Sequence, residues 1–551
     1  MLGLMQDVPL LTSRLLEHAS YNHAATEIVS RGVGGVWQRS TWGELGSRAR
    51  RVAGMLTRLG VRSGERIATL AWNRTRHLEF YFGVTGSGAV LHTVNPRLFS
   101  EQIRYIINHG ESEYLFVDPD LFSVAEELAG HLANIKEIIV LAAPQEMPRA
   151  GRMRALCYEE LLAAQDDAYE WPRLDENNAS ILCYTSGTTG NPKGVLYSHR
   201  SIVLHAFCVI ASDGMALSSL DTVLLATPLF HVNAWGVPFG AAMCGAKMVL
   251  PGPHLDGKSL FEVIRDERCT FTLGVPTVWL GLLDYIEAHV EPAARAQLAL
   301  RRVVCGGSCP PVAMIERFDE LLGVDLVHGW GMTETGPLVT ISRPLAKHAS
   351  LDRRSRLQVR AKQGRVVFPI EMRIEDETGR PLPRDGATVG EVKVRGPWIA
   401  SGYFKAEDGA VASANGWFPT GDLGQIDPDG FLKLTDRAKD IIKSGGEWIS
   451  SIDLESLTMS HPSVAEAAVI GVPHPKWQER PLLLVRVKPG ENVDRGALLT
   501  HLAARVPRWW LPDDVVFVDQ LPHTATGKLL KTELRNAYRD YLLLRATQQD
   551  T

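Results

Sequence analysis

Short apolar runs alternate with amphipathic helical stretches through the first part of the chain, and this rhythm restricts the folds available to it. Residues 66–70, 114–117 and 137–141 have the apolar side chains typical of buried strands. Helical patterns occur nearby at 78–88 and 121–132. Strands that alternate with helices form parallel sheets, because each helix crosses a face of the sheet and covers it. We therefore expect layered α/β subdomains.

The pattern changes further along the chain. Residues 144–172 contain several residues that break helices and strands, and they are predicted to connect two α/β units. From about residue 363, short strands with a period of two, such as 371–374 and 391–395, predict a small antiparallel, β-barrel-like subdomain.

A third character begins at residue 436. Strand patterns at 464–472 and 481–487, with a helical pattern at 495–506, predict a compact α+β unit. We therefore expect a large N-terminal α/β domain over 1–435 and a small α+β domain over 436–551.

The bulk composition of the 551-residue chain excludes several classes of protein. Its 58 basic and 63 acidic residues give a formal net charge of −5, whereas nucleic-acid binders usually carry a basic excess or a basic stripe. The seven cysteines are scattered without a CxxC pair, which argues against a disulfide framework and a thiolate zinc site. The first residues lack the basic start of a signal peptide, so we expect a cytoplasmic protein.

One uncharged stretch, 222–246, is long enough to cross a membrane. Pro228, Gly236 and Pro238 divide it, and His231 and Asn233 would be costly in lipid. We expect strand, loop and helix lining a pocket, and no membrane span.

The chemistry concentrates in a glycine-rich run that follows a strand pattern at 180–183. The run, 184–195, has the sequence YTSGTTGNPKGV. Glycines and small hydroxyl residues leave backbone N–H groups uncovered, and such groups can bind phosphate oxygens. The spacing differs from a Walker A loop, because Lys193 precedes Gly194 instead of following the second glycine of that motif.

Seven further motifs follow this run along the chain: FHVNAWG at 230–236, GGS at 306–308, GWGMTET at 329–335, TGDL at 420–423, DRAKD at 436–440, KSGGE at 443–447 and GK at 527–528. In this order, the run and the seven motifs resemble the adenylate-forming superfamily of acyl-CoA synthetases, peptide-synthetase adenylation domains and luciferases. The resemblance covers nearly the whole chain.

The resemblance implies a first step in which a carboxylate attacks the α-phosphate of ATP, giving acyl-AMP and pyrophosphate. Because attacker and target are both negative, the site must supply cations and oriented donors. Lys528 matches the adenylation lysine, and Thr185 and Glu334 match the catalytic positions around Mg²⁺. The residues implied to bind ATP or AMP are Thr185, Ser186, Gly187, Thr188, Thr189, Gly190, Lys193, Gly306, Gly307, Ser308, Gly329, Trp330, Gly331, Met332, Thr333, Asp422, Arg437 and Lys528.

Within that set, individual roles follow from the same matching. Gly306 and Gly307 would let the backbone approach adenine, and Trp330 would offer it a flat face. Asp422 would accept hydrogen bonds from the ribose hydroxyls, assisted by Arg437.

The second step implied by the resemblance is attack of the CoA thiol on the acyl-adenylate. A mobile C-terminal domain would rotate about a hinge at Lys439, withdraw the lysine and bring a glycine-rich hairpin to the site. The residues implied to line the CoA tunnel are Lys443, Gly445, Gly446, Glu447 and Trp448.

The acid is constrained by the motif at 230–236. His231 stands where peptide-synthetase domains place an aspartate for the α-ammonium group, so an α-amino acid would lack its ion-pair partner. The predicted acyl pocket is His231, Val232, Asn233, Trp235 and Gly236, which indicates an apolar acid. His231 is interpreted as a gate or pocket-wall residue. The motifs look most like those of medium- and long-chain fatty acyl-CoA ligases.

Three hypotheses remain open from the sequence. The first is a CoA ligase for a fatty acid, or for an aryl, short thioether or steroid side-chain acid. The second is an adenylating enzyme that passes its acyl group to a carrier protein or to oxygen. The third is a catalytically silent binding protein, which the set of candidate catalytic residues disfavours. By analogy with similar fatty acyl ligases, a homodimer is expected.

Overall fold

The computed structural model describes residues 1, 3–149, 154–185, 191–406, 411–412, 415–445, 447–524 and 528–544. The strands are β1 Glu27–Arg31, β2 Trp37–Thr41, β3 Arg66–Leu70, β4 Val90–Val94, β5 Ser112–Val117, β6 Glu137–Val140, β7 Leu156–Cys157, β8 Ala179–Tyr184, β9 Gly194–Ser198, β10 Thr222–Leu224, β11 Lys247–Leu250, β12 Phe271–Gly274, β13 Arg302–Cys305, β14 Asp325–Gly331, β15 Leu338–Ile341, β16 Gly364–Val366, β17 Glu371–Glu375, β18 Gly390–Arg395, β19 Phe418–Ile426, β20 Phe431–Arg437, β21 Ile442–Ser444, β22 Glu447–Ile449, β23 Val464–His474, β24 Gln478–Val487 and β25 Asp514–Phe517. The helices are α1 Thr12–Asn22, α2 Trp42–Arg58, α3 Thr75–Ser87, α4 Ser100–His109, α5 Phe122–Leu128, α6 Tyr158–Ala163, α7 His199–Ile210, the four-residue turn α8 Val232–Trp235, α9 Val237–Cys244, α10 Gly257–Asp266, α11 Pro276–His289, α12 Pro292–Arg295, α13 Val312–Leu322, α14 Arg353–Ala361, α15 Ser451–Met459, α16 Arg495–Ala503 and α17 Lys531–Ala537.

The first α/β layer is a seven-stranded sheet with the order β7-β6-β5-β3-β4-β8-β9. Its strands are parallel from β7 to β8, and only β9 runs antiparallel, to β8. Every residue of β4 is buried, as expected for a strand covered on both faces. Strand β8 ends at Tyr184, so the glycine-rich run begins at the carboxyl edge of this sheet, where parallel sheets bind ligands.

The second sheet is a 13-stranded path in which one strand changes partners halfway along. Strand β14 pairs in parallel with β13 over residues 325–328 and antiparallel with β15 from Gly329 onward. Beyond β14 the sheet continues in the order β15-β16-β20-β19-β18-β17, and each neighbouring pair is antiparallel. The predicted antiparallel strands are therefore confirmed, and β14 connects them to the parallel strands of the large sheet.

The C-terminal part has its own sheet, with the order β22-β21-β24-β23 and β25 parallel to β24. Alternate residues of β23 enter two different clusters, Ala467 and Val469 on one face and Ala468 and Ile470 on the other. Strand β23 is thus packed on both faces, which explains its nearly unbroken apolar sequence. The mixed α/β fold predicted from the sequence is confirmed.

Two predicted segments differ in detail, and a third agrees with the prediction. The helix predicted at 121–132 is shorter, because α5 is flanked by 3₁₀ turns at Pro119–Leu121 and Ala129–His131. The connector predicted at 144–172 also contributes structure of its own, since β7 extends the first sheet and α6 buries Tyr158. The uncharged stretch at 222–246 divides into β10, α8 and α9, as predicted. Among the described helices, none has both the length and the apolar character needed to cross a membrane.

Asn73 joins the two α/β layers just before the FHVNAWG motif. Its side-chain Nδ2 donates to the carbonyl oxygens of Leu225 at 2.8 Å and Thr227 at 2.9 Å. Its Oδ1 accepts from the backbone N–H of Leu229 at 2.7 Å. Because Asn73 is buried, these three bonds satisfy backbone groups that water cannot reach.

The substitution Asn73→Ala should therefore destabilise the protein by roughly 2–4 kcal/mol, because it leaves three buried backbone groups without partners. Urea denaturation measures the change in the free energy of unfolding. Asn108→Ala is the matched control, because the Asn108 amide also makes two backbone bonds but at exposed positions. Equal losses in the two variants would contradict the role given to Asn73.

Candidate active site

One cavity of about 450 Å³ lies where the two α/β layers meet the C-terminal part. Thr185 lines it from the first sheet, Gly306 and Trp330 from the second, and Lys528 from the C-terminal part. Three separate regions of the sequence therefore contribute to one site.

The base of the glycine-rich run is closed by two hydrogen bonds between its ends. The Thr185 N–H donates to the Lys193 carbonyl oxygen at 2.9 Å, and the Lys193 N–H donates to Thr185 Oγ1 at 3.1 Å. This pair continues the antiparallel ladder of β8 and β9. Both residues line the cavity. The predicted phosphate-binding residues between them, Ser186, Gly187, Thr188, Thr189 and Gly190, lie outside the described residues.

Glu334 lies in a 3₁₀ turn, Thr333–Thr335, just after β14, and it is buried beside the cavity. Its Oε1 accepts a hydrogen bond from the Tyr403 hydroxyl at 2.6 Å, and its carbonyl oxygen accepts from the Ala400 N–H at 2.8 Å. Sequence reasoning missed Tyr403. The residue belongs to no recognised spacing, and only the fold brings it to Glu334.

The cavity lining contains a hydrogen-bonded group made of Trp330, Asp422 and Arg437. The Trp330 indole Nε1 donates to Asp422 Oδ2 at 3.0 Å, and Arg437 Nε lies 3.1 Å from Asp422 Oδ1. Asp422 and Arg437 are register partners on β19 and β20. Burial raises the pKa of Asp422, while Arg437 and the Trp330 hydrogen bond oppose that rise. The three predicted nucleotide-binding residues are thus brought together.

The glycines predicted beside adenine are needed for close packing. A Cβ on Gly306 would lie 2.8 Å from the Gly329 carbonyl oxygen. Gly307 has φ of +82°, which favours glycine, and a Cβ there would lie 3.0 Å from Val275 Cγ1. Both line the cavity, as do the remaining predicted nucleotide residues Ser308, Gly329, Gly331, Met332 and Thr333.

Lys528 lines the cavity, and two hydrogen bonds join it to Thr524. The Lys528 N–H donates to Thr524 Oγ1 at 3.1 Å, and the Thr524 N–H donates to the Lys528 carbonyl oxygen at 2.7 Å. Its Cε lies 3.4 Å from the position of a Cβ on Gly307. Burial and then the Arg437 charge lower the pKa of Lys528 to about 8, although Asp422 and Glu334 oppose the change.

The lining of the cavity also includes apolar residues next to His231. His231, Val232 and Trp235 line it, as predicted. The backbone from Val232 to Trp235 is left-handed, with φ between +47° and +56°, a conformation that costs non-glycine residues energy. Burial and the Lys528 charge lower the pKa of His231 to about 3, so the imidazole is neutral at pH 7.

Two residues predicted to line the acyl pocket lie behind its wall instead. Asn233 Oδ1 faces Cys183, whose Sγ is 3.3 Å away, and Gly236 packs against the His205 ring. The left-handed turn explains this, because it directs successive side chains away from the pattern of an ordinary strand or helix. Sequence reasoning missed further lining residues, Met215, Pro276, Thr277 and Leu280.

The predicted hinge and CoA-tunnel residues occupy different places. Lys439 lines the cavity, and burial lowers its pKa. Lys443, Gly445, Glu447 and Trp448 lie outside the cavity lining on the hairpin of β21 and β22, where the Gly445 N–H donates to the Trp477 carbonyl oxygen at 2.9 Å. Gly446 lies outside the described residues.

Two family models match the chain. A model for AMP-binding enzymes matches residues 16–404, and a model for the C-terminal domain of AMP-binding enzymes matches residues 453–528. The chain belongs to the AMP-binding enzyme family.

Individual members of this family resemble the chain over almost its full length. It is 48% identical over 543 residues to 3-methylmercaptopropionyl-CoA ligase from Ruegeria lacuscaerulensis, covering 98% of this chain and all of that protein. It is 47% identical to medium-chain-fatty-acid–CoA ligase from Ectopseudomonas oleovorans, covering 98% of each. The crystal structure of the anthranilate CoA ligase AuaEII with anthranoyl-AMP superposes with a TM-score of 0.84 at 25% identity, over 97% of this chain and 99% of that one.

The oxygen atoms available in this AMP-binding enzyme fit Mg²⁺ that arrives with a nucleotide. Within the described ranges, no group of three or more His, Cys, Asp or Glu residues could hold a metal by itself. Mg²⁺ usually takes one or two protein oxygens and completes its shell with water and substrate phosphates. The Glu334 carboxylate and the Thr185 hydroxyl, both at the cavity, supply such a set.

The substitution Arg437→Gln should raise the pKa of Lys528 above about 8, because it removes the positive charge that most opposes the ammonium group. The measurement is the pH dependence of Lys528 acylation by an amine-selective reagent, followed by mass spectrometry on the ligand-free protein. Arg535→Gln is the control, since Arg535 lines the same cavity but pairs with Asp440. An unchanged midpoint in Arg437→Gln would contradict the assignment.

Proposed function

We propose that the chain is an ATP-dependent, AMP-forming acid:CoA ligase that acts through an acyl-adenylate on a medium- or long-chain fatty acid. One observation carries the proposal. Lys528 meets Asp422, Arg437 and Glu334 at a single cavity that Val232, Trp235 and other apolar residues also line. This arrangement suits a nucleotide phosphate and a carboxylate that must meet beside a hydrocarbon chain.

In the first step, a carboxylate oxygen of the acid attacks the α-phosphorus of ATP, and the bond to the pyrophosphate oxygen breaks. Lys528, whose pKa of about 8 leaves it mostly protonated at pH 7, attracts the carboxylate and the α-phosphate together. Lys193 attracts the departing phosphates. Mg²⁺ held between Glu334, Thr185 and the phosphates would neutralise part of their charge.

We propose that the bonded group of Trp330, Asp422 and Arg437 holds the nucleotide. Asp422 is positioned by Trp330 and Arg437, and its carboxylate retains lone pairs that can accept from the ribose hydroxyls. Gly306 and Gly307 line the cavity without side chains, so their backbone is uncovered for contact with the base.

In the second step, the CoA sulfur attacks the acyl carbonyl carbon, its proton leaves to solvent, and AMP departs. The conformation described here has Lys528 at the cavity and the β21–β22 hairpin outside it, which suits the first step. We propose that residues 436–551 then rotate about Lys439 and bring Lys443, Gly445, Gly446, Glu447 and Trp448 to the acyl-adenylate. A boundary between residues 435 and 436 is supported by the end of β20 at Arg437, because the next strand, β21, belongs to the C-terminal sheet.

The residues that line the cavity support an apolar acid. Four of them are the apolar residues Val232, Trp235, Met215 and Leu280. His231 is neutral and offers no carboxylate to pair with the α-ammonium group of an amino acid. A short thioether acid is the second candidate, because a relative of 48% identity is named a 3-methylmercaptopropionyl-CoA ligase.

We also place the enzyme in the cytoplasm, where reducing conditions suit seven cysteines that are all free in the structure. A homodimer is proposed from the resemblance to fatty acyl ligases alone.

The test is pyrophosphate release with a panel of acids, with and without CoA. We expect acid-dependent pyrophosphate release with C6–C16 fatty acids and conversion of the bound acyl-AMP to AMP and thioester when CoA is added. Activity confined to 3-methylmercaptopropionate would favour the second candidate. Acyl-AMP that persists in the presence of CoA would contradict a CoA ligase of either kind.

The two half-reactions should separate between a pair of variants. Lys528→Ala should slow adenylation at least a hundredfold, because it removes the cation at the α-phosphate, and yet convert supplied acyl-AMP with CoA. Gly445→Ala should spare adenylation and slow thioester formation, because it disturbs the proposed CoA-tunnel hairpin. Gly445 has φ of +60°, and a Cβ there would lie 2.8 Å from the Trp477 ring. Equal losses in both half-reactions for either variant would contradict its assigned role.

A further inference from the structure

The short segment 400–404 connects two parts of the active site that come from different sheets. At one end, the Ala400 N–H donates to the Glu334 carbonyl oxygen at 2.8 Å. At the other end, the Phe404 N–H donates to the Gly194 carbonyl oxygen at 2.8 Å, and Gly194 directly follows Lys193. The segment therefore spans the distance between the metal-binding carboxylate and the phosphate-binding lysine of the proposed mechanism.

Glycine at position 194 permits this attachment. A Cβ on Gly194 would lie 3.1 Å from Phe404 Cβ, which is tighter than ordinary side-chain packing. The segment consequently lies close against β9, and the backbone that leaves the phosphate loop is held from one side by Phe404.

Tyr403, in the middle of this segment, contacts both functional side chains. Its hydroxyl donates to Glu334 Oε1 at 2.6 Å. The Lys193 ammonium nitrogen lies 4.7 Å from the centroid of the Tyr403 ring, within the range of a cation–π interaction. A single side chain thus uses its polar end on the carboxylate and its aromatic face on the lysine.

The hydrogen bond leaves half of the carboxylate available. Within the described part of the chain, the only hydrogen bond to the Glu334 side chain is the one that Tyr403 donates to Oε1. Because the Tyr403 hydroxyl holds Oε1, the position of Oε2 is also defined. Carboxylates that bind metals are commonly oriented by a hydrogen bond of this kind.

We propose that Tyr403 is a positioning residue for the adenylation step, and that it sets Glu334 and Lys193 at the separation required by magnesium-bound triphosphate. The inference rests on the proposed function, because it assigns Tyr403 a part in binding that nucleotide. Tyr403 transfers no proton in the proposed step.

The two contacts can be removed one at a time. Tyr403→Phe removes the hydroxyl and retains the ring beneath Lys193, whereas Tyr403→Leu removes both. Tyr114→Phe is the matched control, because it removes a phenolic hydrogen bond to the Leu59 carbonyl oxygen in the first α/β layer, far from Glu334 in the sequence.

The readout is binding of α,β-methylene-ATP, which cannot be cleaved at the α-phosphate, measured by calorimetry in Mg²⁺ and again in EDTA. For Tyr403→Phe we expect affinity in Mg²⁺ to fall about tenfold, as for a lost hydrogen bond to a charged group, with affinity in EDTA within about twofold of wild type. For Tyr403→Leu we expect affinity in EDTA to fall about threefold as well, because Lys193 loses the aromatic face.

A double-mutant cycle isolates the lysine contact. In the Lys193→Met background, Tyr403→Leu should no longer change affinity in EDTA, whereas Tyr403→Phe should still weaken binding in Mg²⁺. A general loss of stability would instead lower the affinity in Mg²⁺ and the affinity in EDTA by the same factor, whether position 193 is Lys or Met.

The outcomes separate this inference from the proposed function. If wild-type protein binds the nucleotide and Tyr403→Phe weakens binding equally in Mg²⁺ and EDTA, or in neither, the positioning role of Tyr403 is wrong and the proposed function stands. If wild-type protein fails to bind the nucleotide in Mg²⁺, the proposed function fails, and the inference with it.

Discussion

The change of partners along β14 is the constraint on which the active site depends. The first half of this strand ends the parallel part of the large sheet, and its second half begins the antiparallel part. Trp330 lies in the second half, directly before a shift in its register against β15, and Glu334 lies in the 3₁₀ turn that follows the strand. A Cβ on Gly331 would lie 1.8 Å from the Pro337 carbonyl oxygen, so this position at the end of β14 requires glycine. The strand thereby places an aromatic face and a carboxylate at the carboxyl edge of the parallel strands.

The charged side chains at this edge neutralise one another only in part. Asp422 and Arg437 pair directly, and Lys528 is subject to attraction from Asp422 and Glu334 and to repulsion from Arg437. A buried cation of this kind is costly until an anion arrives. The arrangement is therefore suited to a polyphosphate, although the chain as a whole carries a net charge of −5.

The parts of the site that could be predicted are those encoded in short contiguous motifs. Gly306, Trp330, Asp422 and Lys528 each stand in a run whose residue types suggest their chemistry, and the structure brings all four to one cavity. Asn233 and Gly236 were predicted for the pocket and lie behind it, because the left-handed turn at α8 overrides the alternation expected of a strand or helix. Tyr403, Met215 and Leu280 were not predicted, since each reaches the cavity through a long-range contact that no local pattern records.

The sequence by itself determined the elements and their classes. Apolar runs specified the buried strands, period-two alternation specified the antiparallel extension, and the glycine-rich motifs marked where backbone must approach a ligand. Only the tertiary structure decided how these pieces meet. It joined the antiparallel strands to the large sheet through β14, turned Asn233 away from the pocket, and set Tyr403 between Glu334 and Lys193. Local periodicity reports which face of an element is buried, whereas the identity of its partner depends on packing between separate segments, as between Tyr403 and Glu334.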